Sequence, residues 1–287
     1  MSESFAARER RSDFFLRFRR SRNAVIGSIL VAAVIVVALF APWLIPHDHE
    51  RVDMFMVWAP PSAEHPFGND ALGRDILSRV LMGAQVSLLV AVAVLAITLT
   101  IGVTLGMCAA YFGGWTDTII MRTVDIIFAF PELILAILVA AMLGPGLVTV
   151  IVSLSIVWWP GIARLTRALV LQLKNELYVS AAIACGSPPR KILIRHILPN
   201  IVAPLLVRAS IGVGFIIMAE ATLSFLGIGV QEPRPTWGGM IRDGLQTLRT
   251  DPYLVFYASL ALGITIIGFN LLGDGLRDIL DPRVRDK

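Results

Sequence analysis

From Val25 to Ile45 the chain runs for 21 residues without one charged side chain. At a rise of 1.5 Å per residue, a helix of that length crosses a hydrocarbon core of about 30 Å. Five further apolar stretches follow: 86–111, 119–143, 147–162, 201–228 and 254–272. Over the whole chain, 56% of residues are hydrophobic and 16% charged, against about 25% charged in soluble domains. The expected class is all-α, a polytopic membrane protein with six transmembrane helices. The first run follows a basic segment but is long and ends in Pro46 and charge, so it reads as a retained span rather than a cleaved leader.

Residues 1–24 carry seven arginines, the later ones interleaved with Phe14, Phe15, Leu16 and Phe18. This fits a segment lying among lipid head groups, or a plain topology anchor. Residues 25–45 are the first span and 46–84 a polar excursion. Residues 85–280 hold the other spans, with polar loops at 164–200 and 229–253, and 281–287 form a charged tail. Gly102 and Gly106 form a GxxxG pair suited to close helix packing. Gly113-Gly114 and Gly144-Pro145-Gly146 read as tight connections.

Six spans put both termini on one side. With the N-terminus inside, inside segments hold 18 Lys and Arg and outside segments 6, of 25 in all. The positive-inside rule then predicts an N-in/C-in chain with the 164–200 loop in the cytoplasm. Cys108 falls in a span and Cys185 in that loop, so no disulfide is expected.

The sequence has no phosphate-cradling Gly-x4-Gly-Lys-Ser/Thr loop, no HExxH and no GxSxG. An enzyme is not indicated, and any work must be driven by an ion gradient or by a partner. The 164–200 loop bears on that choice. Residues 175–186 predict a short helix rich in small side chains, namely Ser180, Ala181, Ala182, Ala184 and Gly186, which would let another surface come close. Pro188-Pro189 ends it. Arg190 to Leu198 then reads as amphipathic, with Ile194, Ile197 and Leu198 opposite Arg190, Lys191 and Arg195. Lipid and a protein partner both fit these features.

Charged residues inside spans are candidates for a pathway or for ion pairs. They are Asp125 and Glu132, seven apart and so expected on one helix face, with Arg208 and Glu220, twelve apart. Arg122 is placed to pair with Asp125. His47, His49 and His65 lie in the polar excursion. His-x-His spacing invites a metal reading, but loop histidines read as polar surface, and no metal is expected.

The loop from Tyr178 to Pro199 resembles the signature of the inner-membrane subunits of bacterial ATP-binding-cassette importers: Glu-Ala-Ala, three residues, Gly, nine residues, Ile-x-Leu-Pro. Ala181, Ala182, Gly186, Leu198 and Pro199 fall on the pattern. Ser180 replaces the Glu, and His196 stands at the first Ile position. Segments 22–48, 65–88, 195–200, 237–241 and 270–283 are similar to the dipeptide/oligopeptide permeases, a branch that includes nickel and glutathione systems, and their order looks like its "C"-type subunit.

The resemblance implies one N-terminal helix before a five-helix core in the bacterial inner membrane. It implies a sister permease subunit, two cytoplasmic ATPase subunits that bind the ATP, and a periplasmic or lipid-anchored solute-binding protein. No cofactor of the chain's own and no nucleic acid are implied. ATPase coupling would fall to Tyr178, Ser180, Ala181, Ala182, Gly186, Leu198 and Pro199, and 229–253 would be a plug or docking surface. The alternative from another class is a proton-coupled secondary transporter using Asp125, Glu132 or Glu220.

Overall fold

The structure, a computed structural model, describes residue 16 and residues 18–280. The interfacial reading of the basic N-terminus falls mainly on 1–15 and 17 and lies outside the described residues, as does the 281–287 tail.

The described residues are mostly helical and form no β-sheet, with 46–75 in turns and irregular backbone. Helix α1 spans Arg22–Leu44, α2 Ile76–Phe112, α3 Gly114–Phe128, α4 Glu132–Leu143 and α5 Leu147–Leu173. Short α6 (Leu177–Ala184) and α7 (Pro189–Lys191) precede a π-turn at Ile192–Ile197. Then come α8 (Leu198–Phe225), α9 (Trp237–Gly244) and α10 (Tyr253–Leu280). Five helices are long and apolar enough to cross a membrane, or six if the bent pair α3–α4 counts as one span.

Helix α2 starts at Ile76, where the helical spacing of Ile76, Leu77, Val80 and Leu81 leads into the apolar run at 86, and Asp75 caps it. The Asp75 carboxylate accepts the amide of Ser78 at 2.8 Å and its hydroxyl at 2.7 Å, satisfying orphan donors of the first turn. The 119–143 stretch is not one helix: α3 and α4 meet at 90°. Pro131 has no amide to donate, and its ring would strike the carbonyl four residues back. Asp125 and Glu132 therefore do not share a helix face, contrary to their seven-residue spacing.

The chain divides into two compact units, residues 1–89 with 210–287, and 90–209. In the first, α1 and α10 pack so closely that a Cβ on Gly27 would overlap the backbone of Leu272, and one on Gly275 the backbone of Ala24. In the second, the Gly102/Gly106 pair does what its spacing predicts. A Cβ on Gly102 would lie 2.7 Å from Ile162, and one on Gly106 2.7 Å from Thr166. Without a hydrophobic drive between helices in lipid, such close van der Waals packing is what holds them together.

Candidate functional site

The segment between α5 and α8 is built outward from a core. Val179, Ile192, Leu193 and Ile197 are buried with Ala110, Ile162, Val170, Ile201 and Leu205. Val179 is the one buried residue of α6. Ala182 is half-buried and packs against the same core. On the outer side Ser180, Ala181 and Ala184 are exposed, as is Gly186 just beyond the helix, and Leu177 is 87% and Ile183 49% exposed. A free Leu and Ile beside small residues, on a helix fixed from below, form a surface shaped for contact.

Gly186 has a role that its small size did not reveal. Its φ is +73°, where side chains with a Cβ are strained. Its amide donates to the carbonyl of Ile183 at 2.9 Å, and that of Ser187 to Ala182 at 3.1 Å. These two bonds close α6 with a Schellman motif. A Cβ at Gly186 would meet nothing within 4 Å, so the constraint is on the backbone and the space above it is open.

The stretch 190–198 is not the simple amphipathic helix that its pattern suggested. Residues 192–197 form a π-turn, and the amide of Leu198 donates five residues back to Leu193. Ile192, Leu193 and Ile197 are buried while Ile194 is 51% exposed. Pro199 explains the change: it cannot donate, and a widened turn just before it removes the ring clash. Asn200 Nδ2 donates to the carbonyl of His196 at 2.7 Å and reaches the hydroxyl of Tyr178 at 3.5 Å. The Tyr178 phenol is pushed above its ordinary pKa by burial and by Glu176.

Lys174 anchors the start of the segment. Its ammonium donates to the carbonyls of Tyr111 at 2.7 Å and Ala110 at 3.3 Å. Two further ties join α3 to α5. Arg167 grips Asp117 with two bonds of 2.5 and 2.6 Å, and Arg164 binds Asp125 at 2.7 Å while its guanidinium lies 4.6 Å from the Phe128 ring centre. Asp125 thus pairs with Arg164 rather than with Arg122, since antiparallel packing brings in a partner that sequence spacing cannot show. Asp117, Arg167, Lys174 and Asn200 were not singled out in the sequence for the same reason.

The remaining candidates are scattered. Glu132 is exposed at the first turn of α4, where the helix dipole favours a carboxylate. Arg208 lies 6.0 Å from the ring centre of Trp158. Glu220 is fully buried and accepts from Ser87 at 3.0 Å and Ser224 at 2.8 Å. In its own unit, the 229–253 segment is fastened down. Glu232 receives Arg74 at 2.6 Å and Arg79 at 2.9 Å. The Trp237 indole, 2% exposed, donates to the carbonyl of Val80 at 3.0 Å. Two of the three loop histidines come together: the His47 and His65 rings lie 4.4 Å apart.

Comparison with known proteins agrees with this architecture. The family described as binding-protein-dependent transport system inner membrane component matches residues 102–286. The N-terminal transmembrane domain of oligopeptide transport permease C matches residues 10–61. The glutathione transport system permease protein GsiD of Escherichia coli O6:K15:H31 is 43% identical over 95% of this chain and 90% of its own length. The oligopeptide transport system permease protein OppC of Bacillus subtilis is 41% identical over 95% of this chain and 90% of its own.

Proposed function

Since the chain belongs to the binding-protein-dependent transport system inner membrane component family, the permeases of ATP-binding-cassette importers, we propose that it forms half of an inward pathway for peptides or a peptide-like solute such as glutathione. In this reading a sister permease supplies the other half, two ATPase subunits dock on the 164–200 loop from the cytoplasm, and a solute-binding protein delivers from outside.

The observation that supports it best is the exposed α6 rooted in a buried core. Val179, Ile192, Leu193 and Ile197 join α6 and the start of α8 to α2 and α5. A push on the exposed face therefore reaches the long helices as displacement of packed elements, which is how two-state transitions spread. ATP binding would move α6, tilt α5 and α8 and open the pathway outward, and hydrolysis would reset it. Tyr178, Ser180, Ala181, Ala182, Gly186, Leu198 and Pro199 act here through shape and backbone geometry, with Ser180 in place of a charged contact. The chain itself would make and break no covalent bond and hold no nucleotide.

The test is uptake by proteoliposomes holding the chain with its sister permease and ATPases. Uptake of a peptide presented by the binding protein should require ATP inside the importer's cycle and persist when the proton gradient is collapsed. Uptake driven by a proton gradient without ATP would favour the alternative, in which the buried Glu220 carries the proton.

A further inference from the structure

The polar stretch between α1 and α2 brings together groups that the permease function does not use. One imidazole nitrogen each from His47 and His65 and a carboxylate oxygen of Glu64 lie within 4.8 Å of one another. We propose that these three residues bind a divalent transition-metal ion of the zinc class, clipping the two ends of the 47–65 stretch together beside the start of α2.

The His65 imidazole is held from behind as a metal-binding histidine is. Asp75, 2% exposed, accepts Nδ1 of His65 at 2.9 Å. A carboxylate only accepts, so Nδ1 carries the proton and Nε2 is left with its lone pair. A ligating histidine commonly gives its other nitrogen to such a carboxylate, which fixes its tautomer and raises its basicity. Asp75 is itself fixed by Ser78 through its second oxygen, and Ser78 Oγ also accepts the backbone amide of His47 at 3.2 Å. One Asp–Ser pair at the head of α2 therefore positions both histidines.

A second observation points to a ligand. Nδ1 of His47 is buried and has no hydrogen-bond partner; it lies 3.9 Å from Asp75 Oδ1. Buried polar atoms without partners are rare in folded proteins, and a metal ion would supply the missing one. The cluster borders a cavity of about 130 Å³. Asp48, Asp53, Glu64 and Asp75 line it against a single cation, Arg51, a balance that favours a dication. Two imidazoles and one carboxylate suit zinc and its neighbours, with a position left for water, and are too poor in oxygen for calcium or magnesium. The histidines lie 18 positions apart in the sequence, so no local ligand spacing announces the site.

The experiment is equilibrium titration of the untagged full chain in detergent with Zn²⁺ against a chromogenic chelator, and with Co²⁺ read by its visible absorption. The wild type should take up one equivalent, with the intense bands of a four-coordinate cobalt site. His47→Gln and Glu64→Gln should each weaken binding at least tenfold, and Asp75→Asn by about 10- to 100-fold. Glu64 is exposed, so Glu64→Gln reads the site without risk to the fold. His49→Gln and His196→Gln, the other two histidines, should bind as the wild type does. A wild type with no saturable site would overturn the assignment. So would unchanged binding in both His47→Gln and Glu64→Gln.

Discussion

The ammonium of Lys174 lies 2.7 Å from the carbonyl oxygen of Tyr111, tying the end of α5 to the end of α2. The last carbonyls of a helix have no internal partner and carry the negative end of its dipole, so one lysine answers both. Lys174→Met keeps the apolar stem and removes the charge. It should lower thermal stability in detergent by about 1–3 kcal/mol and reduce solute uptake per ATP hydrolysed. Unchanged coupling would remove this tie from the transmission path.

At Gly186 the backbone, not the bulk, is the constraint. Ala costs about 1–2 kcal/mol in the left-handed region, which Asn tolerates better. Gly186→Asn should therefore retain more uptake than Gly186→Ala, despite its larger side chain. If partner approach alone set the requirement, uptake would follow side-chain volume and Ala would do better.

The Asp117–Arg167 pair is bidentate and partly buried. Arg167→Met should destabilise the chain by roughly 1–3 kcal/mol, measured as a fall in Tm. The exchange Asp117→Arg with Arg167→Asp should recover part of that loss. No recovery would mean that the pair contributes through packing instead.

Glu232 gives a pH signature. Burial alone would raise its pKa, but Arg79 and Arg74 hold its carboxyl below the ordinary 4.5. A depressed folded-state pKa contributes stability that is full above the unfolded value and is lost as pH falls through the folded value. The Tm gap between wild type and Glu232→Gln should be widest above pH 4.5 and close below it. A gap independent of pH would show that the carboxylate's charge adds nothing.

Much of this was legible in the chain. Apolar run length located α1, α2, α5, α8 and α10, because lipid thickness imposes it. The Gly102/Gly106 spacing announced a close helix contact, since GxxxG works through local geometry, but only the fold shows that α5 makes it. Other features needed the fold. Pro131 was visible, but not that it turns α3 against α4 by 90°. The π-turn before Pro199 depends on which isoleucines the core accepts. Arg164 and Arg167 find their partners only once α3 lies antiparallel to α5.

The central claim is that α6 is a docking surface for an ATPase. The most direct measurement places a photo-crosslinking residue at Ala181, which is exposed, with Trp43, 77% exposed at the end of α1, as control. Irradiation of cells should give an adduct between position 181 and a nucleotide-binding protein, its yield changing when ATP hydrolysis is blocked, and none from position 43. Adducts at 181 with lipid alone would contradict the account.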